Sequence, residues 1–358
     1  MTPYERVRTA FNHKTPDRVP CDFSASEKVL ENLKNYFGVS TKEEILRIFK
    51  IDKRVVAPKY IGPPLKEFPD GSHEIIVSGG PHWKKIDDAG FTESCVYFPW
   101  SDIDKREDLF DRYGWNGKLE WWDFSNIKED IEKLEREDEY WIAAHGDPSG
   151  LQHLCMWVGD EKFYSILASD EDLAFAMIEQ HNKYRLEYAL KVLEAGNGRI
   201  NELMGGGDYG AQEGLLISKN MFNKYFKELY RKFYSEIKKN FDVEIFFHCC
   251  GSVVDLIPDL IELGVTILDP IQTSARGMDI ESLKSNFGDK LNFHGAIDIQ
   301  QFLPYATPDE VKKEVERVIN VLGRDGGYML SPGHAIQIDT PIENIITMYE
   351  TATNQKIN

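Results

Sequence analysis

His248 and Cys250 stand two apart at the end of the apolar run Ile245-Phe246-Phe247, and His334 follows a second such run through the turn Ser331-Pro332-Gly333. Residues two apart in an extended segment project to the same face, so His248 and Cys250 point together while Cys249 points away. Cys249 is then expected to lie against the helix layer as a small apolar residue. Imidazole and thiolate are good zinc ligands. Two ligands from one strand end and His334 from another make a three-ligand site with its fourth position open, as a catalytic zinc needs. Such a centre can bind a thiol and hold it as a thiolate at neutral pH. The competing reading is a satisfied barrel-interior histidine beside two packed thiols. A redox role for the adjacent Cys249 and Cys250 is disfavoured, because neighbouring cysteines close only a strained ring.

Other strand ends carry polar residues of the same kind. His145 and Asp147 follow the Trp141 segment, Asp208, Tyr209 and Gln212 follow the Glu202 segment, and Asp269 and Gln272 follow Ile267. His294 and Asp298 flank Gly295, and Ser331, His334 and Gln337 come last. Asp208 and Asp269 are the best carboxylates for acid–base or orienting work, with the glutamines as positioners. Their bland alternative is hydrogen bonding to backbone groups at the strand ends.

These ends belong to a regular alternation. Strand-like segments at 140–145, 199–204, 243–247, 265–268, 291–293 and 328–330 are separated or followed by helical patterns at 172–194, 218–239, 253–263, 280–286, 308–322 and 341–353. Adding a short strand at 18–23 and one from the irregular region gives about eight. That is the count of a closed (β/α)8 TIM barrel, whose chemistry sits at the carboxyl ends of its strands. An N-terminal helix over 4–12 precedes it. The stretch 59–123 is dense in Pro, Gly and Trp and reads as an aromatic elaboration or lid, while 140–358 is the regular part of a single domain spanning 1–358. No Gly-x-Gly-x-x-Gly follows the first strand, and Gly205-Gly206-Gly207 lacks the Lys-Ser/Thr of a phosphate loop. That glycine run reads as close backbone approach at the barrel rim.

Composition narrows the partners. Sixty acidic against 42 basic residues give a formal charge of −18, which disfavours nucleic acid and anionic membrane surfaces. Five cysteines with one adjacent pair form no disulfide framework, and Met1 to Arg6 opens an amphipathic helix rather than an apolar leader. A reduced, cytoplasmic protein acting on a small molecule is the expectation.

The chain resembles the uroporphyrinogen decarboxylase superfamily nearly end to end. The resemblance is carried by Glu5-Arg6-Val7, Pro16-Asp17-Arg18-Val19-Pro20, Gly207-Asp208-Tyr209-Gly210-Ala211-Gln212 and His248-Cys249-Cys250-Gly251-Ser252. It continues through Leu268-Asp269-Pro270-Ile271-Gln272, the Gly295 segment, Ser331-Pro332-Gly333-His334-Ala335-Ile336 and Thr340-Pro341-Ile342-Glu343-Asn344. It implies the (β/α)8 barrel but not one reaction. True decarboxylases carry an arginine-rich Met-Arg-Gln-Ala-Gly-Arg segment that holds the substrate's carboxylates. The matching stretch here, Cys21 to Glu27, has no arginine. The superfamily's zinc methyltransferases carry His-x-Cys on one strand and a cysteine in a late Pro-Gly-Cys turn. His248 and Cys250 match, and His334 stands where those enzymes use cysteine.

The resemblance therefore implies a methyltransferase with zinc held by His248, Cys250 and His334. A methyl group would pass between a corrinoid on a separate partner protein and a small thiol or pterin acceptor. Asp208, Tyr209, Gln212 and His334 would do the catalytic work, with His145, Asp147, Asp269, Gln272, Ser331 and Gln337 on the substrate. The superfamily contains dimers, which leaves a homodimer open. Two alternatives stand beside this one. The first is a metal-free lyase on a carboxylated substrate, needing no cofactor and using His334 and Asp208. The second is a non-catalytic subunit that binds a corrinoid partner.

Overall fold

The short apolar runs become strands because both of their faces find cover. In this computed structural model, which describes residues 1–85 and 93–357, seven strands pair in parallel and in strict chain order. They are β1 (Lys53–Val56), β2 (Trp141–His145), β3 (Glu202–Gly206), β4 (Glu244–His248), β5 (Ile267–Ile271), β6 (Asn292–Ile297) and β7 (Tyr328–Pro332). Strands β5, β6 and β7 are buried along their whole length, the signature of parallel strands covered on both faces.

The eighth place is nearly empty of strand. Cys21 alone bridges Leu330 of β7 in parallel, while the backbone carbonyl of Cys21 accepts the Asp52 N–H at 2.9 Å just before β1. Asp52 Oδ2 returns a bond from the Cys21 N–H at 2.8 Å. The (β/α)8 architecture expected from the alternation is present, with two corrections. The segment 18–23 contributes a one-residue bridge rather than a strand, and the remaining barrel strand lies at Lys53–Val56, before the irregular region and not within it.

Helices form where their sequence supplies both a cap and an apolar stripe. Thr307 caps Pro308–Leu322 in a reciprocal box with Glu310, Pro308 opens the first turn, and Val311, Val315, Val318 and Leu322 face the sheet. The N-terminal helix Pro3–Phe11 has the same device in Thr2 and Glu5. It plugs the amino end of the barrel, packing Val7, Ala10 and Phe11 on Trp141, Phe246, Ile267 and Met329. The helical pattern over 172–194 is two helices, Glu171–Asn182 and Arg185–Gly196, and two more, Leu151–Val158 and Asp160–Ser169, precede it. The stretch 59–123 holds a three-stranded antiparallel sheet from His73–Glu74, His82–Lys85 and Glu93–Tyr97, and the pair Lys59–Tyr60 with Trp122–Asp123. No helix among the described residues is long and apolar enough to cross a membrane.

Candidate metal centre and its two cavities

His248 is the last residue of β4, Cys250 lies two further on, and His334 lies two beyond β7. The structure brings the three together: one donor atom from each lies within 4.8 Å of the others. Cys250 Sγ is 3.3 Å from His248 Nε2. Cys249 is fully buried behind them, its sulfur accepting the Tyr209 N–H at 3.2 Å.

What aims these groups is a carboxylate on the next strand. Asp269 Oδ2 lies 2.5 Å from His248 Nδ1, and Asp269 Oδ1 lies 2.5 Å from His294 Nδ1. Burial opposes a charged His248, but Asp269 and Cys250 raise its pKa well above the usual imidazole value. With Nδ1 held by Asp269, the Nε2 facing Cys250 must therefore give up its proton to serve as a metal ligand. Asp208 Oδ1 accepts the Cys250 N–H at 2.8 Å, and so fixes the turn that carries the thiol. Burial raises the Cys250 thiol, and the neighbouring His248 only partly offsets this. Burial, helped by the charge of His248, lowers His334 and favours its neutral, ligating form. Two imidazoles and one thiol, with one imidazole held by a carboxylate, form a donor set that fits an open zinc site.

The cluster stands between two cavities. An inner one of about 620 Å³ lies within the barrel mouth, and an outer one of about 700 Å³ lies beyond the late turns. His334 lines both, His248 the inner and Cys250 the outer. Of the other residues singled out from sequence, His145, Asp147, Asp269 and Ser331 line the inner cavity, and Gln212, Gln272 and Gln337 line the outer one. Gln272 Oε1 also accepts the Gly251 N–H at 2.8 Å, bracing the turn after Cys250.

Tyr209 is a correction. It is fully buried among Phe222, Phe226 and Tyr230, with its hydroxyl 3.2 Å from that of Tyr230, and it lines neither cavity. It supports the wall and is not placed to orient a ligand. Asp147 is likewise engaged, its carboxylate bound to Arg185 and to the Gly206 N–H at 2.7 Å.

Sequence reasoning did not select Asp22, Lys53, Glu202, Arg185, Gln152 or His153, all of which stand in or under the inner cavity. Asp22 Oδ2 is 3.1 Å from His294 Nε2 and 3.0 Å from Lys53 Nζ. Lys53 reaches Glu202 at 2.9 Å, and Glu202 accepts the Trp141 Nε1–H at 2.9 Å. A buried chain of alternating charge thus runs from His248 to the barrel floor. Burial works against a charged His294, but Asp269 and Asp22 outweigh it and lift its pKa to about 9. Burial also opposes ionisation of Asp269, and the two histidines more than reverse that. The signal that could have found this network is a charged residue opening an apolar run, as Lys53 does before Val55-Val56 and Glu202 before Leu203-Met204.

A methyltransferase from Methanosarcina mazei superposes with a TM-score of 0.69 over 99% of each chain at 16% identity, a likeness of fold. Uroporphyrinogen decarboxylases from Pseudoalteromonas atlantica and Psychromonas ingrahamii are each 33% identical over 67 residues, 19% of this chain and only 18% of their own length. The family model described as uroporphyrinogen decarboxylase matches residues 149–355, which hold β3 to β7 and the whole candidate metal cluster. The chain belongs to the uroporphyrinogen decarboxylase family.

Proposed function

We propose that this protein is a methyltransferase that uses zinc held by His248, Cys250 and His334 to move a methyl group between a corrinoid on a partner protein and a small acceptor such as a thiol or pterin. The observation that carries the reading is the placement of the three donors on the boundary between two cavities. Methyl transfer joins two reactants at one centre, and this cluster can be approached from both sides. When bound, zinc would draw the proton from a thiol and hold it as a nucleophile at neutral pH.

The chain's own residues do the rest. Asp269 holds His248 in one tautomer, and Asp208 and Gln272 brace the turn around Cys250. His334 offers its ring to either side. The aromatic residues Trp115 and Trp122 from the elaboration help to enclose the inner reactant and exclude water.

Metal content by mass spectrometry, on protein purified without added metal, tests this directly. About one zinc per chain is expected, absent from Cys250→Ser, followed by thiol-dependent demethylation of methylcobalamin. No metal in either protein would sink the zinc site. It would favour a second reading, a metal-free carboxy-lyase using Asp208 and His334, to which the family match lends support. Release of carbon dioxide from a small carboxylated substrate, lost in His334→Ala and kept in Cys250→Ser, is the assay for that reading.

A further inference from the structure

Formal charge on the wall of the inner cavity is matched by a neighbour at each place. Arg185 donates to the Asp147 carbonyl, to the Asp147 carboxylate and to Asn116 Oδ1. His294 lies between Asp22 and Asp269, and Lys53, beneath the Phe246 ring, lies between Asp22 and Glu202. Among the described residues lining the cavity there is no lysine or arginine without a carboxylate partner. The remaining wall is largely apolar and aromatic, with Trp115, Trp122, Tyr188 and Met204 prominent.

Several polar side chains interrupt that wall, Ser24, Asn116, His153 and Ser331 among them, and two further ones bear on the ligand. His145, at the end of β2, is open on the cavity surface, and Gln152 is half-buried there. Neither side chain has a hydrogen-bond partner among the described residues. Burial pushes the His145 imidazole down to about 4, so it is a neutral group at physiological pH.

We propose that the inner cavity binds a small uncharged molecule with a largely apolar body and one hydrogen-bonding group, which meets His145 or Gln152. A carboxylate or sulfonate would lose its hydration on entry, face Asp22 and Asp269, and find no free cation among the side chains of the wall. An ammonium would find aromatic faces, but every nearby carboxylate already holds a positive partner. The volume of about 620 Å³ lies in the range of small-molecule sites, roughly 300–1,000 Å³. This narrows the small reactant of the proposed methyl transfer to a neutral one, and it rests on that reading only for what happens at the metal cluster.

The test is calorimetric titration of the whole protein, zinc-loaded and metal-free, with 2-naphthylmethanol, 2-naphthoate and 2-naphthylmethylammonium. These probes share one body and differ in charge. The alcohol is expected to bind the metal-free protein about tenfold or more tightly than either ion, and a gain in carboxylate affinity confined to the zinc-loaded form would report contact with the metal. Val55→Trp, at a half-exposed cavity-wall position, should remove binding of all three. Gln152→Arg, which adds a cation without a partner, should shift the preference towards naphthoate by about tenfold. Naphthoate or the ammonium binding the metal-free parent protein as tightly as the alcohol would overturn the proposal, as would unchanged alcohol affinity in a folded Val55→Trp. A neutral preference in protein that binds no zinc would sink the methyltransferase reading alone. Zinc and methyl transfer together with a naphthoate preference in the metal-free form would sink only the present one.

Discussion

Asp269 joins the two histidines that matter most, and its effects should be separable at each. Towards His248 it acts as the carboxylate behind a metal-ligating imidazole, a contact whose loss typically costs ~10–100-fold in metal affinity. Asp269→Asn is therefore expected to weaken zinc binding by about that factor in competition with a chromophoric chelator, with the fold intact by circular dichroism. Unchanged affinity would mean that His248 is not a ligand. Towards His294 the same carboxylate, with Asp22, holds a buried imidazolium whose pKa lies at about 9 instead of 6.5. A pKa raised on folding contributes stability that is complete below pH 6.5 and is lost as pH climbs through 9. In metal-free protein the urea stability gap between the parent and His294→Gln should be largest near pH 6, of the order of 3 kcal/mol at ~1.4 kcal/mol per unit. It should shrink by pH 9.5. A gap that ignores pH would show that the ring is held neutral.

The strand ends position the cluster, and β3 does so through two glycines. A Cβ on Gly205 would lie 1.9 Å from the Asp147 Cβ, and Gly206 has φ of 136° with the His248 carbonyl oxygen 2.1 Å from where its Cβ would be. Gly207 meets nothing nearer than 3.6 Å. Gly206→Ala should therefore push β3 off the end of β4, destabilise by roughly 2–3 kcal/mol in thermal or urea unfolding, and lose zinc with the displaced His248. Gly207→Ala should stay within about 0.5 kcal/mol and keep its metal. Equal effects at the two positions would refute the close-approach explanation. This glycine run and the His-x-Cys pair were legible in the sequence because β-strand alternation and turn residues are local signals. Tyr209 was misread for the opposite reason: past the last strand residue the alternation ends, and the chain turns it into the aromatic core. Leu151–Val158 and Asp160–Ser169 escaped notice because each is short, at 8 and 10 residues, and Gly159 breaks the pattern between them. The charged floor was hidden because Lys53 and Glu202 are 149 residues apart, and nothing in either neighbourhood names the other.

Closing the barrel is a problem for the whole chain, since its eighth place offers a single bridging residue where the others offer a ladder. The side chain of Asp52 makes up the difference. Wholly buried, it accepts the Cys21 N–H at 2.8 Å and pairs with Arg6 of the N-terminal helix at 2.6 Å and with Arg18 at 2.8 Å. It ties the plug helix, the Cys21 segment and β1 at one point. Removing one partner of a buried ion pair leaves uncompensated charge and typically costs ~3–5 kcal/mol, whereas a solvent-exposed pair contributes ~1 kcal/mol or less. Arg6 provides the internal comparison, because it also pairs at 2.6 Å with Asp17, whose side chain is 41% exposed. Asp52→Ala is accordingly expected to lose about 3–5 kcal/mol in urea unfolding, and Asp17→Asn under about 1 kcal/mol. Hydrogen exchange should show the Cys21 and Asp52 amides opening in the former alone. If the two variants lose equal stability and the Cys21 amide stays protected in both, closure is held instead by the apolar plug of Val7, Ala10 and Phe11 on Trp141 and Phe246.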